Sequence, residues 1–134
     1  MPAERGADMS TILIVEDNEK NMKLVRDILQ HQGHATLEAV TGRDGVELAT
    51  TRLPDLILMD IQLPDIDGIQ ALREIRNVPA LDAVPVVAVS ASVMPDEQHK
   101  IVSSGFDAFI TKPINLKQFR DTVQRFLTEG RTRP

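Results

Sequence analysis

Four short apolar runs in this chain each end in a group able to do chemistry. Ile12-Leu13-Ile14-Val15 is followed by Glu16-Asp17, and Leu56-Ile57-Leu58-Met59 by Asp60. Val86-Val87-Ala88-Val89 is followed by Ser90, and Ala108-Phe109-Ile110 by Thr111-Lys112. If the runs lie side by side and parallel, three carboxylates, a hydroxyl and an ammonium meet along one edge. Two like charges ~4 Å apart repel by about 4 kcal/mol at an effective dielectric near 20. Three carboxylates beside one lysine therefore require another cation. Oxygen ligands and small size favour Mg²⁺, which retains several waters and takes phosphate as a partner. A blander reading has each carboxylate solvated or capping the helix after it. Repetition of the pattern on four runs favours convergence.

The runs are continuous rather than alternating, as strands buried on both faces of a parallel sheet must be. A fifth stretch, Thr36 to Val40, alternates and carries Glu38, which predicts an edge strand. Between them lie segments with helical spacing. Met22, Val25, Ile28 and Leu29 form one stripe, closed by Gly33. Val46, Ala49 and Leu53 predict a second helix, opening near Gly42 and stopping before Pro54. Ile69, Leu72 and Ile75 predict a third, and Met94, Ile101 and Val102 a fourth, with Pro95 suited to its first turn. Leu116, Phe119, Val123 and Phe126 predict a fifth, with Asn115 and Gln118 at capping-box spacing. Strand and helix alternating five times predicts an α/β domain with an open, doubly wound parallel sheet. Such sheets bind ligands at the carboxyl ends of their strands.

The chain has 134 residues, 42% hydrophobic and 26% charged, the balance of one globular domain. Area scaling gives roughly 7,000 Å² of folded surface against about 21,600 Å² unfolded, enough burial for a core without staples. Residues 10–128 are expected to form that domain, with a disordered tail at 1–9 and a second tail at 129–134, whose Arg131 and Arg133 are also expected to be disordered. No cysteine is present, which excludes disulfides and thiol chemistry. A net charge of −5 argues against nucleic-acid and anionic-membrane partners. No apolar run approaches the ~18 residues of a membrane span, and the polar start does not read as a signal peptide. A cytoplasmic location is expected.

The residues Ile12 to Asn18 (ILIVEDN), Pro54 to Gly68 (PDLILMDIQLPDIDG), Pro85 to Ala91 (PVVAVSA) and Lys112-Pro113-Ile114 resemble the receiver domain of two-component response regulators. The wording is most similar to that of DivK-like single-domain regulators, and receivers of hybrid kinases share much of it. The resemblance implies a flavodoxin-like fold with strand order 2-1-3-4-5 and five helices. It implies Asp60 as phosphoacceptor, Asp17 as a direct Mg²⁺ ligand and Glu16 as holder of metal-bound water. The backbone carbonyl of Gln62 would complete the protein ligands. Lys112 would contact the phosphoryl oxygens, Ser90 would hydrogen-bond the phosphoryl group, and small Ala91 would leave it room. Phe109 would be the aromatic that changes rotamer on activation, and Lys112-Pro113 would be a cis peptide. The implied partners are a histidine kinase or histidine phosphotransfer protein and a downstream protein, while a phosphorylation-dependent homodimer is left open by the sequence. The side chains of Gln62 and Ser92 would flank the water that hydrolyses the acyl phosphate. Output is expected through other proteins, because no DNA-binding or enzymatic output domain follows residue 128. The adjacent strand ends of Ser90 and Phe109 point to the face made by the fourth helix, fifth strand and fifth helix.

Other readings compete. Asp65, Asp67, Gly68 and Glu74 match part of a calcium-loop pattern, but Leu63 and Pro64 stand where the leading ligand belongs. Asp65 to Gly68 therefore read as a turn into the third helix. His31, His34 and His99 show no ligand-like pairing and read as surface or boundary residues. Lys117, Arg120 and Arg125 read as a solvated face, with a partner surface there as the alternative. A flavodoxin-like electron carrier would need a phosphate loop after the first strand, where Glu16-Asp17-Asn18-Glu19 would repel a flavin phosphate. An aspartyl-phosphate phosphatase typically has a second Asp two residues after its nucleophile, where this chain has Gln62. A protein-binding switch and a phosphate shuttle in a phosphorelay remain unseparated by sequence.

Overall fold

The computed structural model describes residues 10–91 and 94–131. Expectations for 1–9, Ser92 and Arg133 fall outside that range. Five strands, β1 (Thr11–Val15), β2 (Ala35–Ala39), β3 (Leu56–Asp60), β4 (Val86–Ser90) and β5 (Ala108–Thr111), form one sheet in the order β2-β1-β3-β4-β5. Every pairing is parallel. Five helices connect or follow them: α1 (Glu19–His31), α2 (Gly42–Arg52), α3 (Gly68–Arg76), α4 (Pro95–Ser103) and α5 (Leu116–Glu129). A short 3-10 turn at Pro79–Leu81 lies between α3 and β4. No helix among the described residues is long and apolar enough to cross a membrane.

Side chains alternate across the sheet, so each buried run feeds two cores. Leu13, Val15, Ile57, Met59, Val86 and Ala88 pack on one face against Ala49 of α2, Leu72 and Ile75 of α3, and Ile101 of α4. Ile12, Ile14, Leu56, Leu58, Val87 and Val89 pack on the other face against Met22, Val25 and Leu29 of α1 and Phe119, Val123 and Phe126 of α5. Helices on both faces explain why β3 and β4 are buried throughout. Burying each large apolar side chain stabilises the fold by roughly 1.5–3 kcal/mol. β2 is only partly buried, and its Glu38 pairs with Arg26 at 3.0 Å. It is the edge strand that alternation predicts.

Four helices begin with a side chain that satisfies an orphan N–H, as N-terminal capping requires. Asn18 accepts from the Asn21 amide, Thr41 from Asp44, Asp67 from Gln70 and Asn115 from Gln118. Helix α4 has Met94 at that position and no side-chain cap, with Pro95 in its first turn. Met94 is 63% exposed and Val102 48%, so of the stripe predicted for α4 only Ile101 is buried.

Two other helices differ from the predicted stripes. Helix α2 turns Gly42, Gly45 and Ala49 to the core, while Val46 is only partly buried. A Cβ at Gly45 would stand 2.8 Å from Val15 Cγ2, so the missing side chain lets the helix lie close on β1. Leu53 closes α2 in a left-handed conformation (φ 49°) and is 51% exposed, outside any helical stripe. In α5, Leu116 is half exposed, because the buried face begins one turn later at Phe119.

The chain after α5 also departs from expectation at Arg131. This residue is no loose tail: its Nε donates to Asp107 Oδ1 at 3.0 Å and its Nη1 to the Asp82 carbonyl at 2.8 Å.

Candidate functional site

The sheet register assembles the site at the carboxyl ends of β1, β3, β4 and β5. Val15 is paired with Met59, which carries Glu16 level with Asp60. Asp60 is paired with Val89 and Val89 with Ile110. Glu16, Asp60 and Lys112 share the alternation that turns Ile14, Leu58 and Ile110 toward α1 and α5, so all three project to the same side. The Lys112 amide donates to the Ser90 carbonyl at 2.9 Å, continuing the strand ladder, and the Lys112-Pro113 peptide is cis.

Lys112 is the hub. Its Nζ lies 3.0 Å from Asp60 Oδ2 and 3.1 Å from Glu16 Oε1. The remaining carboxylate oxygens have partners too: Asp60 Oδ1 accepts from the Gln62 amide at 3.0 Å, and Glu16 Oε2 from the Asn18 amide at 3.1 Å. Asp17 is exposed, and Glu16, Asp17 and Asp60 each offer an oxygen within 4.8 Å of the others. Glu16 and Asp60 are buried and Lys112 nearly so. The sequence-predicted carboxylates and the lysine thus converge.

The electrostatics follow from that crowding. Burial pushes the Glu16 carboxyl above its ordinary value, and the charge of Asp60 adds to the rise. The Asn18 amide and Lys112 oppose it without overcoming it. Burial pulls the Lys112 ammonium down, but the bonds and charges of Asp60 and Glu16 together hold it above its ordinary value. One ammonium between two buried carboxylates, with a third alongside, leaves an excess of negative charge. Hard carboxylate oxygens converging on a net negative opening suit a small divalent cation such as Mg²⁺.

Ser90 is buried at the end of β4, paired in register with Thr111. Phe109 is partly buried on β5 and packs on the core face shared with Ala88 and Met59. Residues two apart on a strand face the same side, so Ser90 follows Ala88 on the face that Phe109 occupies. Gln62 and Ser90 line one cleft of about 160 Å³ together with Asp67, Ile69, Glu97 and Lys100. Ala91 is exposed, and Ser92 lies outside the described residues.

Several supporting residues had no reading of this kind in the sequence. Asp65 accepts from the Gly42 and Arg43 amides, both at 2.8 Å, and so caps α2 from the neighbouring loop. The Arg43 amide chiefly holds its carboxyl down at about 2. Asp67 caps α3. Both aspartates of the apparent calcium loop are therefore committed to helix starts, and its Glu74 pairs with Arg43 at 2.8 Å. A Cβ at Gly68 would stand 2.7 Å from the Asp60 carbonyl oxygen, so the loop after Asp60 folds back onto it only with glycine there. The Asp-Gly pair was the available signal. His31 and His99 are exposed, but His34 is buried, contrary to its reading as a surface or boundary residue.

Comparison with known proteins gives the same outline. The family model "Response regulator receiver domain" matches residues 12–124. The polar-differentiation response regulator DivK of Brucella ovis is 39% identical over 120 residues, covering 90% of this chain and 98% of DivK. The receiver domain of a sensor histidine kinase of Pseudomonas aeruginosa, solved with a magnesium ion coordinated in its active site cleft, superposes with a TM-score of 0.85. It is 29% identical, covering 90% of this chain and 99% of that one. The signal receiver domain of a histidine kinase of Syntrophus aciditrophicus gives a TM-score of 0.83 at 30% identity, over 93% and 95% of the two chains.

Proposed function

This chain belongs to the response regulator receiver domain family, and from that membership we propose that it accepts a phosphoryl group on Asp60. The reading rests on one observation above others: the Lys112 ammonium bridges the buried Asp60 and Glu16 carboxylates, with an Asp17 oxygen beside them. An Asp60 carboxylate oxygen attacks phosphorus in line, forming the O–P bond as the bond to the donor breaks. The donor departs with the electron pair of that bond. Neither Mg²⁺ nor Lys112 supplies a leaving group, so the donor brings one, such as the imidazole of a phosphohistidine.

The chain's residues divide the remaining work. Lys112, already against Asp60, is placed to balance the phosphoryl oxygens, and Ser90 supplies a hydroxyl for one of them. The exposed Ala91 leaves room for the incoming group. Asp17 and Asp60 would hold Mg²⁺ by carboxylate oxygens, Gln62 by its backbone carbonyl and Glu16 through water. Bound there, the ion supplies positive charge against the equatorial oxygens. The Gln62 side chain borders the cleft through which hydrolytic water enters.

In the same reading the domain is a timed protein switch rather than a turnover enzyme. Residues 10–128 form the receiver, working in the cytoplasm with a histidine kinase or phosphotransfer protein upstream and a protein target downstream. Ser90 and Phe109 share a sheet face, so Ser90 moving toward the phosphoryl group frees space for the Phe109 ring. The α4-β5-α5 face then changes, and a phosphoryl group that favours the changed state shifts the population. A phosphorylation-dependent homodimer is one form that the change takes.

The test is labelling by a small phosphodonor such as acetyl phosphate. Label is expected in wild type with Mg²⁺, and none with excess chelator or in Asp60→Asn. Label surviving in Asp60→Asn removes Asp60 from the role.

A further inference from the structure

The end of the sheet opposite this site holds a second charged cluster, and it takes no part in the chemistry above. Asp107, just before β5, has a side chain only 1% exposed. Its Oδ2 accepts from Arg76 Nη2 at 3.1 Å and from the Val86 amide at 2.9 Å. Its Oδ1 accepts from Arg131 Nε at 3.0 Å. The Asp107 amide in turn donates to the Val86 carbonyl at 2.9 Å. One carboxylate therefore joins the amino ends of β4 and β5, the last turn of α3 and the segment after α5.

The arginines are tied down further. Arg76 Nη1 donates to the Leu81 and Val84 carbonyls, and Arg131 Nη1 to the Asp82 carbonyl. Yet the cluster is not relaxed. Arg76 Nε is buried with no hydrogen-bond partner, which costs the desolvation of a charged donor. Burial, reinforced by the nearby charge of Arg131, disfavours its protonated form. Arg131 is thus the outermost member of a cluster that already carries strain, and Gly130 (φ 72°) makes the turn that brings it back.

The strands anchored here end in the residues of the site: β4 runs from Val86 to Ser90, and β5 leads from Ala108 to Lys112. We propose that Arg131 closes a clasp on Asp107, so that the segment after α5 is coupled through β4 and β5 to Ser90 and Lys112. Opening the clasp leaves Asp107 with one arginine and loosens the strand starts. Coupling of this kind is reciprocal. Whatever draws residues 130 and 131 away from the sheet thereby acts on the site, and changes at the site act on them.

Native-state amide hydrogen exchange on the full chain tests this, comparing wild type, Arg131→Gln and Arg131→Lys without phosphodonor. In Arg131→Gln the Val86 and Asp107 amides should exchange about tenfold faster, the effect of one lost charge-assisted hydrogen bond. The Lys112 amide, at the far end of β5, should accelerate by a smaller factor. Arg131→Lys, which keeps the charge, should restore at least half of the lost protection. Acceleration confined to Gly130 and the last turn of α5 would overturn the coupling. So would a uniform increase that includes the Ile14 amide on the distant β1, since that reports loss of global stability. These outcomes do not depend on Asp60 being the phosphoacceptor.

Discussion

Replacing Lys112 by Met should turn the site from a paired cluster into an unpaired one. At an effective dielectric near 20, contacts at 3.0 and 3.1 Å are worth roughly 5 kcal/mol each before desolvation. Oxygens of Glu16 and Asp60 within 4.8 Å of one another repel by at least about 3.5 kcal/mol on the same scale. Most of the attraction is offset by desolvation in the wild type, so the net loss is set by the carboxylates left behind. Breaking a buried pair from one side costs about 3–5 kcal/mol, and that loss is expected for Lys112→Met at pH 7 without divalent ions. The loss should shrink with acid. Glu16 is already raised, chiefly by burial, and removing Lys112 raises it further. The folded state then binds more protons than the unfolded one above the ordinary carboxylate value, so stability rises as pH falls toward that value. The wild-type lysine gives the opposite signature: its raised value contributes stability that is complete below about pH 10.5 and lost as pH rises through the folded value. Mg²⁺ should restore the variant, by about 2.7 kcal/mol at a hundredfold excess over its Kd. Urea unfolding across a range of pH, with and without Mg²⁺, measures each of these effects. A loss under about 1 kcal/mol, or equal Mg²⁺ stabilisation when Asp17 and Asp60 are both changed to Asn, would refute this account of the charge balance.

Three other perturbations probe separate parts of the molecule. Asp65→Asn should remove a stability contribution that is fully present above pH 3.8 and lost as pH falls toward 2, so acid titration of the wild type should show a loss that the variant lacks. Gly45→Ala gains up to about 1 kcal/mol of helix propensity but drives a Cβ to 2.8 Å from Val15 Cγ2. Overpacking of about 1–3 kcal/mol should make it a net loss in urea unfolding, partly recovered by adding Val15→Ala. Ser90→Ala should still take label at Asp60 while losing phosphorylation-dependent partner capture in a pull-down; unchanged capture would break the proposed link to Phe109.

The sheet was legible because its strands are covered twice. Ile12 to Val15, Leu56 to Met59 and Val86 to Val89 must be apolar on both faces, and no helix of that length reads the same way between turn residues. Convergence of Glu16, Asp17, Asp60 and Lys112 was legible because parallel strands put all their carboxyl ends on one edge. The extent of helix α2 was legible from Gly42 and Pro54, but only Ala49 of its core face was, because the rest of that face is Gly42 and Gly45. A search for large apolar residues picks Val46 and Leu53 where the helix packs by having no side chain. Leu53, Met94, Val102 and Leu116 were assigned to stripes by spacing but lie at or beyond helix ends or on the outer face. The Asp107 cluster left no trace in the sequence, since its arginines stand 31 residues before and 24 after it. Isolated charges at such distances look like solvated surface until the fold brings them together.

The two outermost strands constrain how copies of this molecule can meet. β5 has four residues and meets Pro113 one residue beyond its end, while β2 has five and keeps an ionic pair over its flank. A strand adding to either border would find few main-chain groups to grip and a proline or a charge in its way. Runaway stacking through the sheet, the route to fibrils, is thereby discouraged even though the interior strands are about as apolar as aggregation-prone segments. Recognition is left to the helical surfaces and loops.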